Sequence, residues 1–206
     1  MLIVGLTGGV ASGKSVVSEV LRKEGAYVID ADQIARELVE PHSPGWKELK
    51  SRFGDEILGE SGAVQRKKLA AKVFSDPEQR KILEQILHPR IGAEIERRTK
   101  EIGRRDPGAI VVIDAALIVE RGEYREMDKL IVVTSTEEQQ VQRLEDREGA
   151  RREEAMRILA AQVPLQEKLR VADYVIRNEG LLEETRRRAK EVFRELKRIA
   201  LEKDRR

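Results

Sequence analysis

The sequence predicts an α/β fold, a three-layer α/β/α arrangement around a five-stranded parallel sheet. Three observations carry this. Five short, β-branched and mostly apolar runs recur along the chain, as strands buried on both faces do. Amphipathic helical patterns separate them, giving the alternation of βα units. Two of the runs end on aspartate, Asp30 and Asp114, at what would be the carboxyl edge of the sheet, where open α/β folds bind ligands.

The strand candidates fall at residues 2–6, 26–29, 109–113, 130–134 and 174–176. Some eighty residues separate the second from the third, too many for one crossover helix. Helical patterns at 45–53, 66–74 and 77–103 make that interval an inserted helical subdomain. Pro41, Pro44 and Gly45 mark its entrance and residues 104–108 its exit. His88-Pro89 interrupts the longest pattern, which composition alone reads as a kinked helix. The expected organisation is one domain over 1–206: a core of 1–40, 108–142 and 170–206, a helical insertion at 41–107 and a short lid at 143–169. Residues 181–206 read as an amphipathic surface helix, with Arg186-Arg187-Arg188 on its solvated face.

Composition bounds the class. The 206 residues are 40% hydrophobic, enough for a packed core, and no apolar run reaches membrane-spanning length. The chain starts on a strand, which leaves no room for a signal peptide, and it has no cysteine, which excludes disulfides and thiolate metal sites. A cytoplasmic protein is expected. Forty basic and 38 acidic side chains nearly cancel to +2, so neither nucleic acid nor an anionic membrane is an expected partner. A single asparagine, Asn178, amid heavy Glu, Arg and Lys usage points to a thermophilic source.

Residues 8–15 read Gly-Gly-Val-Ala-Ser-Gly-Lys-Ser, directly after the first strand. This G-x-x-x-x-G-K-[ST] pattern is a phosphate-binding loop. Backbone N–H groups of such a turn cradle phosphate oxygens, and the helix that follows adds a favourable dipole. Gly8, Gly9, Val10, Ala11, Ser12, Gly13 and Val16 would therefore line a nucleotide polyphosphate. Lys14 would reach its β/γ-phosphates and Ser15 would offer a hydroxyl to Mg²⁺. The alternative is an ordinary βα turn.

Acidic groups sit where a phosphate site needs them. Asp32 either serves an attacking hydroxyl or caps the helix after the second strand; Asp32 or Asp114 could also hold Mg²⁺ through water. Arg143, Arg147, Arg151 and Arg152 surround Gly149. They form either surface ion pairs or a lid that closes over ATP, excludes water and neutralises the transferring phosphoryl.

At this point the residues resemble a known family. Leu6 through Ser15 followed by Val28-Ile29-Asp30-Ala31-Asp32 is similar to dephospho-CoA kinases. So are Gly62 with Arg66, Leu87-His88-Pro89, Leu117-Ile118-Val119-Glu120, Ile158-Leu159-Ala160-Ala161-Gln162 and the stretch from Ala172 through Gly180. The resemblance spans roughly the whole chain in the family's order. It implies a P-loop-type fold and transfer of the ATP γ-phosphoryl to the ribose 3′-hydroxyl of dephospho-CoA, the last step of coenzyme A synthesis. ATP and dephospho-CoA would be the partners and Mg²⁺ the cofactor, in a monomer or weak homo-oligomer. It further implies Asp32 as base or orienter and Arg152, with Arg147 close by, as lid arginines. Asn178 to Gly180 would border adenine, and His88, Arg66, Leu117 and Glu120 would form the CoA side. Four features depart from the family's pattern: Ala11 where glycine is usual, Ser61 where an acid precedes Gly62, Ala116 where a proline is usual, and an extra Arg151 beside Arg152, so that either arginine could be the one to reach the phosphates. A nucleoside or nucleotide kinase shares this architecture. A GTP switch would need an N-K-x-D motif, and Asn178 is not in one.

Overall fold

A computed structural model describes residues 1–74, 76–149 and 151–204; the side chains of Phe74, Arg147, Glu148 and Asp204 lie outside that description. The elements run β1 (Leu2–Gly8), α1 (Lys14–Lys23), β2 (Tyr27–Asp30), α2 (Ala31–Glu37), α3 (Pro44–Phe53), α4 (Arg66–Phe74), α5 (Pro77–Arg105), β3 (Ile110–Asp114), β4 (Lys129–Thr134), α6 (Glu137–Glu148), α7 (Arg152–Ala160), α8 (Leu165–Arg170), β5 (Tyr174–Arg177) and α9 (Leu182–Asp204). All five strands predicted from sequence are present, and they form one parallel sheet in the order β2-β3-β1-β4-β5. None of the described helices is long and apolar enough to cross a membrane.

Two compact units are present: Met1–Ile29 with Glu101–Arg206, and Asp30–Lys100. In the first, β1 is the central strand. Leu2 to Leu6 pair with Ile110 to Asp114 of β3, and Val4 to Gly8 pair with Lys129 to Val133 of β4. The connections after β1 and β3 run in opposite directions across the sheet, which opens a crevice at the carboxyl ends of those two strands. The loop after β1 and Asp114 at the end of β3 meet there.

Side-chain alternation along β4 separates the two faces. Ile131 and Val133 join Val4 and Leu6 of β1 in a core with Val17, Val20 and Leu21 of α1. Leu130 and Val132 point the other way, into a cluster with Ile118, Leu169 and Val171. Helix α9 lays Ala189, Val192, Phe193, Leu196 and Ala200 into the first core, at the three-and-four spacing of one helical stripe. The expected surface helix thus closes the core with one face and meets solvent with the other.

The second unit holds the helices expected from the insertion, together with α2. Its core is Leu49, Phe53, Ile57, Leu69 and Ile86. Ser43 caps α3 by accepting from the Trp46 N–H at 3.1 Å, with Pro44 at the first helical position. A tight turn at residues 59–63 places Gly62 at φ 76°, and Trp46 Nε1 donates to the Gly62 carbonyl at 2.8 Å. Pro89 lies inside α5 and does not end it. Arg90 ties that stretch down, donating to the Ile86 carbonyl at 2.6 Å and to Glu48 of α3 at 2.5 Å.

Candidate active site

The loop between β1 and α1 is shaped by alternating backbone signs. Gly13 stands at φ 91°, and a Cβ there would come within 2.0 Å of Asn178 Nδ2. Only glycine satisfies both demands. Gly8 is required by close approach instead: a Cβ would meet the Val133 carbonyl at 2.5 Å. Ala11 is at φ 55°, in the left-handed region. The change from glycine at that position is therefore not mild, because an L side chain there is strained by about 1 kcal/mol or more.

Three successive carbonyls of the loop are each claimed by one distant side chain. Gln140 Nε2 donates to Val10 O at 2.7 Å, Arg143 to Ala11 O at 3.0 Å, and Asn178 Nδ2 to Ser12 O at 2.9 Å. Gln162 Oε1 accepts from the Val10 N–H at 2.9 Å. With the carbonyls occupied, the N–H groups of Ala11, Gly13, Lys14 and Ser15 have no acceptor among the described residues. That is the arrangement of an anion cradle. Val10 and Ala11 also pack against Val141, Leu144 and Ala155 of α6 and α7.

Lys14 opens α1 and its ammonium pairs with Asp114, a buried carboxylate at the end of β3. Ser15 is exposed in the first turn of α1. Thr7 Oγ1 donates to Ala116 O at 3.0 Å, and Lys168 Nζ approaches the same carbonyl at 3.4 Å. These donors hold the stretch after β3 without the usual proline. Lys168 is buried and its Nζ lies 2.6 Å from Glu120 Oε1. The short distance makes an ion pair, although the approach is not aligned for a hydrogen bond to the carboxylate.

A cavity of about 410 Å³ lies beside the loop, lined by Gly9, Thr134, Gln140, Leu159, Gln162 and Lys168 among others. Arg152 begins α7 and makes a two-pronged contact to Glu138 of α6 at 2.9 and 2.7 Å. That guanidinium holds the Glu138 carboxyl below the usual range, and the carboxylate raises Arg152 in return. The side chain of Arg147 lies outside the described residues. Arg143, grouped with the lid by sequence, sits in the middle of α6 and reaches the loop. Asn178 spends both ends of its amide inside the protein, on Ser12 O and on Thr185 Oγ1. Its side chain braces the phosphate loop, which no local sequence pattern could have revealed. Gly180 follows at the turn into α9, where a Cβ would meet only the flexible end of Glu184.

In the second unit the capping question after β2 is resolved. Asp30 is the N-cap, accepting from the Gln33 N–H at 3.0 Å, and Asp32 lies exposed in the first turn of α2. Arg66 is exposed at the start of α4, and His88 is half-buried within α5. Leu117, in the first unit, is 39% exposed.

The parallel sheet with this strand order, a G-x-x-x-x-G-K-S loop after its central strand, and a lysine beside a strand-end aspartate define a P-loop kinase. Comparison with known proteins narrows the class. The family model for dephospho-CoA kinase (CoaE) matches residues 2–184. A dephospho-CoA kinase of Syntrophotalea carbinolica is 47% identical over 90% of this chain and 88% of its own. Among solved structures, TT1252 from Thermus thermophilus superposes with a TM-score of 0.78 at 35% identity, covering 95% of this chain and 97% of that one. The dephospho-CoA kinase from Campylobacter jejuni superposes at 0.65 with 26% identity, covering 94% and 96%. The chain belongs to the dephospho-CoA kinase family and is a kinase of the last step of coenzyme A biosynthesis.

Proposed function

We propose that the γ-phosphoryl of ATP passes in line to the ribose 3′-hydroxyl of dephospho-CoA, with no phosphoenzyme, and that the residues below carry the reaction. The observation that carries this is the set of loop carbonyls held from outside while the N–H groups of Ala11, Gly13, Lys14 and Ser15 have no acceptor among the described residues. Those donors and the α1 N-terminus would receive the ATP phosphates. Lys14 would exchange Asp114 for the β/γ-phosphates and follow the charge that grows between them in the transition state. Asp32, relieved of capping by Asp30, would orient the 3′-hydroxyl and accept its proton.

The donor set suits Mg²⁺. Among the described residues no three His, Cys, Asp or Glu side chains gather into a metal cage, and Mg²⁺ is ordinarily bound by one or two protein oxygens plus phosphates and water. The exposed Ser15 hydroxyl would hold it, with Asp32 or Asp114 reached through water. When bound, the metal would neutralise negative charge on the nucleotide phosphates.

Of residues 143–169, the expected lid, the part beyond Arg143 would move while Arg143 stays on the loop, Arg152 and Arg147 supplying positive charge on closure. To do so Arg152 must leave Glu138, an exposed pair of little strength. Residues 41–107 would form the CoA-side subdomain, with His88 and Arg66 contributing from it and Leu117 and Glu120 from the stretch after β3. Asn178 to Gly180 would border adenine by packing, since the side-chain amide, N–H and carbonyl of Asn178 are all engaged inside the protein.

The test is coupled ADP release with Mg·ATP and dephospho-CoA, adenosine, AMP or no acceptor, with the product checked by mass. Stimulation by dephospho-CoA alone, giving coenzyme A, is the expected result. Turnover on adenosine or AMP instead would discard the acceptor assignment, and no stimulation by any acceptor would discard the transfer.

A further inference from the structure

The strain at Ala11 has a visible counterweight. The guanidinium of Arg143 spans two backbone carbonyls, one N–H donating to Ala11 O and another to Asn178 O, each at 3.0 Å. Asn178 is itself bound to the loop at Ser12 O and to the sheet, its N–H donating to Thr134 O at 2.7 Å. Arg143 thus clamps the Ala11 peptide to a fixed point at the end of β5. The planar fork of an arginine suits this task, since two N–H groups are held at a set spacing and both bonds are charge-assisted.

We propose that Arg143 is a positioning residue of the phosphate loop, holding Ala11 in the left-handed conformation that a glycine would adopt unaided. The carbonyl of Ala11 is held by the guanidinium and the Ser12 N–H by the Gly9 carbonyl, while the N–H groups of Ala11 and Gly13 keep no acceptor among the described residues. Without the clamp, Ala11 relaxes toward negative φ, which an L residue prefers, and the cradle loses its shape. Arg143 acts on ATP through the loop backbone. The proposal rests on the assignment of this loop to ATP, which turnover of the unaltered protein tests separately.

The proposal makes a specific genetic demand, that a glycine at position 11 remove the need for the clamp. Kinetics are measured for Arg143→Lys, Ala11→Gly, the double variant and Ala11→Val, each checked for a native melting transition. Lysine keeps the charge but not the fork. Loss of one charge-assisted bond predicts an increase of about tenfold in KM for ATP with Arg143→Lys, with the KM for dephospho-CoA unchanged. Adding Ala11→Gly should recover most of that loss. Ala11→Val, which leaves Arg143 in place but puts a β-branched residue at positive φ, should raise the KM for ATP on its own. Calorimetric binding of a non-hydrolysable ATP analogue reads the same effects without turnover. Failure of glycine to rescue Arg143→Lys would overturn the proposal, because the guanidinium would then act on the nucleotide itself. An unchanged KM for ATP in Arg143→Lys or in Ala11→Val would overturn it equally.

Discussion

Replacing Lys168 with methionine keeps the length of the side chain and removes its cation. Lys168 is 1% exposed, and its Nζ lies 2.6 Å from a Glu120 carboxylate that is 15% exposed. At an effective dielectric of about 20 the two charges attract by roughly 6 kcal/mol before desolvation is subtracted. Removing one member of such a pair costs about 3–5 kcal/mol, because the other charge is left where water barely reaches it. The residual exposure of Glu120 puts the loss near the lower end, about 3 kcal/mol. In a chain of this size that lowers the melting midpoint by about 6–12 °C. The assay is thermal unfolding of the unaltered protein, Lys168→Met, Glu120→Gln and the double variant near neutral pH. If the pair is the cause, neutralising Glu120 in the Lys168→Met background returns at least half of the loss. A Lys168→Met midpoint within about 2 °C of the parent, or a double variant no better than the single, would refute the reasoning.

Asp32→Asn should lower kcat by about 10²–10⁴ with calorimetric ATP affinity retained, since the loop is untouched; near-full turnover would remove Asp32 from the mechanism. Arg152→Ala should lower kcat more than it weakens ATP binding, with the melting midpoint nearly unchanged because its partner Glu138 is exposed. A lost ATP affinity at constant kcat would contradict the lid. Hydrogen bonds from Arg97 and Arg98 hold the Glu94 carboxyl down to about 2, from an ordinary 4.5. The stabilisation is therefore complete above the ordinary value and disappears as pH falls toward about 2. Glu94→Gln should be less stable than the parent near neutral pH, and the gap should close across that acid window in a series of melts.

The strands and the phosphate loop were legible because their signals are contiguous: apolar runs ending on aspartate, and eight residues of loop in a row. The 66–74 helix coincides with α4 for the same reason. Pro89 misled only slightly, since Arg90 secures α5 beyond the proline and the helical spacing runs through it. Partnerships between distant segments were not legible. Nothing local to Glu120 announces Lys168, and nothing around Arg143 separates it from the arginines that follow. Ala11 could be flagged from sequence, but the sign of its φ is decided by what grips its carbonyl. The capping choice between Asp30 and Asp32 turned on a shift of two residues in the start of α2, finer than residue types can resolve.

The side chains that shape the loop come from 130, 132, 152 and 166 residues further along the chain. A nascent chain that has made β1 and α1 therefore has the motif but not the site. The most distant brace, Asn178, directly follows β5, which pairs with β4 at the sheet edge. Contacts this remote in sequence close late, after nearer ones have reduced the search. Nucleotide affinity thus depends on segments far downstream of the motif, and a chain cut before residue 178 should carry an intact G-x-x-x-x-G-K-S sequence and bind ATP poorly. Incomplete copies would be excluded from the cell's ATP traffic by their own topology.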